Sequence, residues 1–113
     1  MSIQGKNYIS GRWVNSHSAE IFESRNPANR DEVLGSIPSS DATDVEEAVQ
    51  AARKAYPAWR ATSRIKRGEV FDNFVQLVKK DHEELSRLMA RECGKAINES
   101  RAEVTEGIYH EGH

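Results

Sequence analysis

The sequence predicts an α+β chain: short antiparallel strands over about residues 7–38, then about four helices over about 43–110. Three observations predict it. The first 38 residues hold short β-prone pieces bounded by Gly, Pro and Asn. From Asp41 onward the apolar residues recur at helical spacing. Helix-start residues at Thr43, Ser63 and Asp81, and a stop at Gly94, then punctuate that stretch.

Tyr8-Ile9-Ser10-Gly11-Arg12-Trp13-Val14 places a glycine-containing turn between two short β-prone pieces and reads as a tight hairpin. A polar connection, NSHSAE, follows. Ile21-Phe22-Glu23-Ser24-Arg25 extends, and Asn26-Pro27-Ala28-Asn29 turns the chain. The residue before a proline is pushed toward an extended conformation, so Asn26 should end its strand. Val33 to Ile37 returns antiparallel and Pro38 ends it. Strands this short need another element to pack on.

Thr43-Asp44-Val45-Glu46 matches a capping box, with Thr43 accepting from a backbone N–H and Glu46 reaching back. Val45, Ala48, Val49, Ala52, Tyr56 and Trp59 follow at helical spacing, and Pro57 should kink or end that helix. A second helix starts near Ser63 or Arg64 with Phe71, Phe74, Val75 and Val78 on one face. Asp81-His82-Glu83-Glu84 is an acidic start, favoured by the helix dipole, for a third helix bearing Leu85, Leu88 and Met89. Gly94 is its stop. A fourth helix from about Ala96 carries Ile97, Val104 and Ile108 on one face. It runs on with no stop signal, which predicts that this chain is part of a longer one. Residues 1–110 read as one domain portion, and 111–113 as the remnant of an expression tag.

A chain of 113 residues has room for one small domain. Its 16 basic and 18 acidic residues are interspersed and give a net charge of -2, which argues against a nucleic-acid partner. No apolar run approaches the roughly 20 residues that span a bilayer, which argues against a membrane partner. No secretory leader is present, and the single cysteine fits a reducing compartment, so a cytoplasmic location is expected.

Cys93, between Glu92 and Gly94-Lys95, invites a search for a nucleophile. It falls on the apolar side of the third helix, at the C-terminal end, where the dipole disfavours a thiolate. It is expected to be a small buried packing residue. Leu85, Leu88, Met89 and Glu92 form an i, i+3, i+4, i+7 set, so a carboxylate continues an apolar stripe. Either Glu92 is exposed at a frayed helix end, or it has a basic partner, backbone donors or a cation. His17 sits in a polar connection and His82 reads as a solvated first-turn residue. Trp13 and Trp59 read as packing anchors. The histidines lack metal-ligand spacing, and the seven glycines are scattered rather than grouped in a phosphate loop. Composition and spacing alone therefore assemble no catalytic constellation.

The order NYISGRWV, SRNPANRDEVLGSIP, DATDVEEAVQAARKAYPAWRATS and RGEVFDNFVQLVKKDHEELSRLMARECGKAINESRAEV resembles the N-terminal part of the aldehyde dehydrogenase superfamily. The resemblance covers Asn7 to about His110. Its most specific parts are NPA followed by an EVLG-type strand, the A-A-x-x-A-x-x-x-W helix ending, and L-x-R-x-x-E-x-G-K.

The resemblance implies part of the Rossmann-like cofactor domain of an enzyme that oxidises aldehydes to carboxylic acids with NAD or NADP. In that family a cysteine attacks the aldehyde, hydride passes to the nicotinamide, and water releases the acid from a thioester. Members are usually dimers or tetramers. The family's catalytic and cofactor-contacting residues have no match here, so none is assigned to this chain. Cys93 does not match the nucleophile. The family's monovalent-cation site does reach this segment and implies a possible site at Glu92 with the backbone carbonyls of Ser24 and Arg25. The fragment alone is then expected to be inactive. Its partner would be the remainder of the parent enzyme, or a second copy meeting it through exposed apolar helix faces. A stand-alone helical interaction or assembly module without enzymatic activity is the competing reading.

Overall fold

The structure is a computed structural model that describes residues 2–111. Gly112 and His113, to which the tag assignment extends, lie outside the described residues. The element order is β1 (Ile3–Gln4), β2 (Asn7–Ile9), β3 (Arg12–Val14), β4 (Ile21–Asn26), β5 (Asn29–Pro38), α1 (Ala42–Ala61), α2 (Arg64–Lys80), α3 (His82–Cys93) and α4 (Ile97–Glu111). The α+β class and the four helices match the sequence expectation. The chain divides into two compact units, one of residues 1–25 and 32–61, the other of residues 26–31 and 62–113.

In the first unit β2 and β3 pair antiparallel, with Tyr8 opposite Trp13 and Ile9 opposite Arg12. The two-residue turn, Ser10-Gly11, has φ of 54° and 75°. Positive φ at both central positions is the twist that a right-handed hairpin needs. The Tyr8 and Trp13 rings lie 4.9 Å apart, centroid to centroid. A second sheet has the order β1-β5-β4. Here the structure differs from the expectation of only antiparallel strands starting near residue 7. β1 pairs parallel with β5, Ile3 opposite Gly35 and Gln4 opposite Ser36. Gly35 allows this pairing: a Cβ there would collide with the Ile3 carbonyl oxygen. Two strand residues carry too little pattern to be read from sequence. Leu34, on β5, is the buried apolar residue of this unit.

α1 begins two residues earlier than the Thr43–Glu46 box implies. The box is instead Asp41 with Asp44: the Asp44 N–H donates to Asp41 Oδ1 at 3.1 Å, and the Asp41 N–H donates to Asp44 Oδ2 at 2.9 Å. Glu46 accepts from Gln50 one turn on, at 2.7 Å. Aspartate is an equally good cap. Pro57 does not end α1, which continues to Ala61. The apolar spacing along α1 is real, but Val45, Val49, Tyr56 and Trp59 are exposed. Trp13 is 68% exposed, so neither tryptophan is a buried anchor in this chain. Periodicity shows which face is apolar, not whether anything covers it.

In the second unit, Ser63 caps α2 by accepting from the Lys66 N–H at 3.3 Å. α3 packs most extensively against α4, with α2 alongside both. Val75 and Val104 are the buried apolar residues here, and Ser86 and Ser100 are fully buried. Each serine donates back within its own helix, Ser86 to the His82 carbonyl at 2.7 Å and Ser100 to the Ala96 carbonyl at 3.4 Å. Small side chains that satisfy themselves let helices approach closely. α3 ends at Gly94, whose φ of 67° is the left-handed cap expected from sequence.

Candidate functional site

Two groups of polar side chains and one apolar groove stand out. The first is built on Asp44, which is 4% exposed. Its carboxylate accepts from Ser16 Oγ at 2.5 Å, the His17 N–H at 3.0 Å and the Asp41 N–H at 2.9 Å. The Ser16 hydroxyl contributes most, and together these donors hold its pKa down to about 2 from the ordinary 3.8. His17 Nε2 lies 2.8 Å from Glu47 Oε1, and this hydrogen bond raises the imidazole pKa. The polar NSHSAE stretch is thus tied to the first turn of α1. Three donors converge on the Asp44 carboxylate and the His17 imidazole is taken up by Glu47, which makes the knot a fastening rather than a reactive centre.

The second group joins α3 to α4. Arg101 grips Glu83 with two donors, Nε at 3.0 Å and Nη2 at 2.8 Å, and Arg87 Nε adds a third at 3.0 Å. These bonds, that from Arg101 above all, lower the Glu83 pKa to about 2. Glu83 and Arg101 are each almost half exposed, so this pair is screened and its stabilising contribution is small. His82 is not the solvated residue expected. Its Nε2 lies 2.9 Å from Thr105 Oγ1 and 3.1 Å from the Arg101 carbonyl. Thr105 spends its own proton on that carbonyl at 2.9 Å, so Nε2 must be the protonated nitrogen. Sequence could not reveal this, because the partners are 19 and 23 residues away.

The third feature is an apolar groove of about 720 Å³ within the second unit. Phe74, Val78, Leu88, Met89 and Ile108 line it, and Glu92 and Cys93 lie along the same wall. The i, i+3, i+4, i+7 stripe read from sequence is therefore present. Its expected burial is not: Cys93 is exposed, because no described residue covers the groove. Glu92 is also exposed and pairs with no other described residue. The helix end there is not frayed, since the Gly94 and Lys95 N–H groups both return to the Ala90 carbonyl. Lys95 bonds Glu103 of α4, which raises the lysine pKa.

Of the residues that the resemblance implies for a cation, Ser24 and Arg25 lie on β4 in the first unit and Glu92 on the last turn of α3 in the second. The Arg25 side chain donates to Glu23 at 2.5 Å and carries no oxygen, so its backbone carbonyl is the only oxygen it can offer. An unpaired carboxylate and backbone carbonyls are the donors a hard monovalent cation takes. The next residues in sequence, Pro27 and Ala28, belong to the same unit as Glu92 and touch Gly94. Among the described residues no group of three or more His, Cys, Asp or Glu is placed to hold a metal ion. Among the described residues the glycines are scattered along the chain and group into no phosphate loop. No helix among the described residues is long and apolar enough to cross a membrane.

A sequence model described as "Aldehyde dehydrogenase family" matches residues 13–110. Malonate-semialdehyde dehydrogenase 1 of Geobacillus kaustophilus (strain HTA426) is 44% identical over 103 residues, which is 91% of this chain and 21% of that protein. The solved structure of an NAD-dependent aldehyde dehydrogenase from Sinorhizobium meliloti superposes with a TM-score of 0.93 at 28% identity, covering 99% of this chain and 23% of that one. A mutant of aldehyde dehydrogenase C from Pseudomonas syringae, in complex with NAD+ and octanal, superposes with a TM-score of 0.90 at 35% identity, covering 95% of this chain and 22% of that one. The chain spans about a fifth of the length of the curated relatives it matches.

Proposed function

Because the chain belongs to the aldehyde dehydrogenase family, we propose that it is the N-terminal portion of an NAD(P)-dependent enzyme that oxidises an aldehyde to a carboxylic acid. Its role is to supply the outer strands and helices of the cofactor domain. By itself it is catalytically inactive. The observation that carries this reading is the match of nearly the whole chain to about a fifth of each relative. Bound NAD(P) would supply the hydride acceptor and would be held by the remaining polypeptide. The residues present here shape and fasten: Asp44 pins the loop before α1, the Glu83–Arg101 pair ties the start of α3 to α4, and Lys95, just past the end of α3 that carries Glu92, bonds Glu103 of α4. In the complete enzyme Glu92, with the Ser24 and Arg25 carbonyls, would hold a monovalent cation.

The test is an NAD reduction assay on two proteins. One is this chain. The other is a full-length enzyme in which this chain replaces the matching part of the Geobacillus relative. Malonate semialdehyde, the substrate named for that relative, is the first to try. Activity in the chimera and none in the chain is expected. Turnover by the chain alone would refute the inactive-fragment reading, and a folded but inactive chimera would refute the enzymatic one.

A further inference from the structure

We propose that the cleft between the β2–β3 hairpin and α1 binds a small organic carboxylate, its head on Arg12 and Lys54 and its short apolar body on Ile9, Val14 and Ala51. The cleft has a volume of about 550 Å³ and lies wholly within the first unit. It shares no residue with the apolar groove of the second unit. Both walls follow from local geometry. Ile9 stands opposite Arg12 and Asn7 opposite Val14, so Ile9, Arg12 and Val14 share one face of the hairpin, and Tyr8 and Trp13 share the other. Glu47, Gln50, Ala51 and Lys54 are spaced i, i+3, i+4 and i+7, which makes them one stripe of α1.

The two walls are fastened to each other. β2 packs against α1. Asn7 and Ser40 exchange hydrogen bonds at 2.9 and 3.1 Å, and Asp44 holds Ser16 and His17 just beyond the hairpin. The cleft is therefore formed before a ligand arrives, which spares the ligand the cost of ordering it. The charges say what fits. Arg12 and Lys54 make no hydrogen bond or ion pair with another described residue. Glu47, the carboxylate on the lining, is taken up by His17 at 2.8 Å. The lining thus offers two uncommitted cations to an anion. A planar guanidinium meets a carboxylate with two parallel N–H donors, and the Lys54 ammonium adds a point charge. Ile9, Val14 and Ala51 are half-buried and give the ligand's body apolar surface in the same cleft. An apolar lining with a few placed charges is how small-molecule sites hold and orient a ligand.

The experiment titrates hexanoate into the isotope-labelled chain and follows its backbone amide resonances by NMR. Saturable shifts at Ile9, Arg12, Val14, Ala51 and Lys54 are expected, with a dissociation constant on the order of 1 mM for so small a ligand. Arg12→Gln and Lys54→Gln should each weaken binding at least about fivefold. Both side chains are exposed and unpaired, so neither change threatens the fold. Lys80→Gln, at an exposed site outside the cleft, should leave binding unchanged. Hexanol keeps the body without the charge, and inorganic phosphate keeps the charge without the body. Each should bind at least about tenfold more weakly than hexanoate. Absence of saturable shifts at the five residues would overturn the proposal, as would glutamine variants that bind like the parent chain. Hexanol or phosphate matching hexanoate in the cleft would overturn it too. So would hexanoate shifts confined to α2, α3 and α4, which would give the probe to the apolar groove. No enzymatic turnover enters these readouts, so the result stands apart from the functional reading above.

Discussion

Replacing Gly94 by alanine tests how the end of α3 is held. At φ of 67° the residue sits in the left-handed region, which costs an L side chain on the order of 1–2 kcal/mol. The added Cβ would lie 3.0 Å from Pro27 Cβ and 3.1 Å from the Ala28 nitrogen. One is a ring atom and the other backbone, so neither can swing aside. Crowding of this kind costs about 1–3 kcal/mol. Alanine also restricts the unfolded chain, which returns about 0.4–1 kcal/mol. The net loss is therefore about 2 kcal/mol or somewhat more. Gly94→Asn separates the two causes, because asparagine tolerates the left-handed region yet still carries the Cβ. Urea unfolding followed by far-UV circular dichroism should rank the chains Gly94, then Asn, then Ala, with Asn recovering only part of the loss. If Asn matches the glycine chain, the contact with the Pro27 turn plays no part in stability. If Ala costs less than about 0.5 kcal/mol, the left-handed cap is also misjudged.

Acid should loosen the first unit through Asp44. Its folded pKa is about 2 against an ordinary 3.8, so its contribution is fully present above about pH 4 and disappears as pH falls toward 2. Trp13 and Trp59, the only tryptophans, both lie in this unit, so their fluorescence during acid titration reports it. Asp44→Asn should lower stability at neutral pH and flatten the change between pH 4 and 2; an unchanged acid limb would refute the assignment. Gly68→Ala, in the middle of α2 with nothing within 4 Å of the new Cβ, should stabilise by about 0.8–1 kcal/mol in urea unfolding. A loss there would mean α2 is not helical at that point. Ser63→Ala should cost about 1 kcal/mol by removing the cap on Lys66, seen as faster amide exchange in the first turn of α2. Unchanged exchange would show that the cap carries no weight.

The most legible features were those set by neighbours in the chain. The Ser10-Gly11 hairpin, the Asn-Pro turn, the Ser63 cap and the Gly94 stop depend on the conformational preferences of one to four adjacent residues, and each stands where sequence placed it. The family motifs are also local strings, which is why ordered resemblance reached the family while spacing alone reached no active site. The same locality explains the error at α1: DATDVE offers two overlapping capping boxes, and the one that forms is Asp41 with Asp44 rather than Thr43 with Glu46.

Tertiary structure alone decided which faces are covered and which distant groups meet. The parallel β1–β5 pair, the Asp44 knot with Ser16 and His17, and the His82 bond to Thr105 join residues 23 to 32 positions apart, with no periodic signal connecting them. Exposure is non-local for the same reason. The amphipathic register of α3 placed Glu92 and Cys93 beside an apolar stripe, and that was readable. Whether the stripe is buried depends on what packs over it, and no described residue does. Cys93 therefore changed from an expected core residue to an exposed wall of a groove. Glu92 remained the residue in need of a partner, with a clean helix cap behind it and no bond to another described residue.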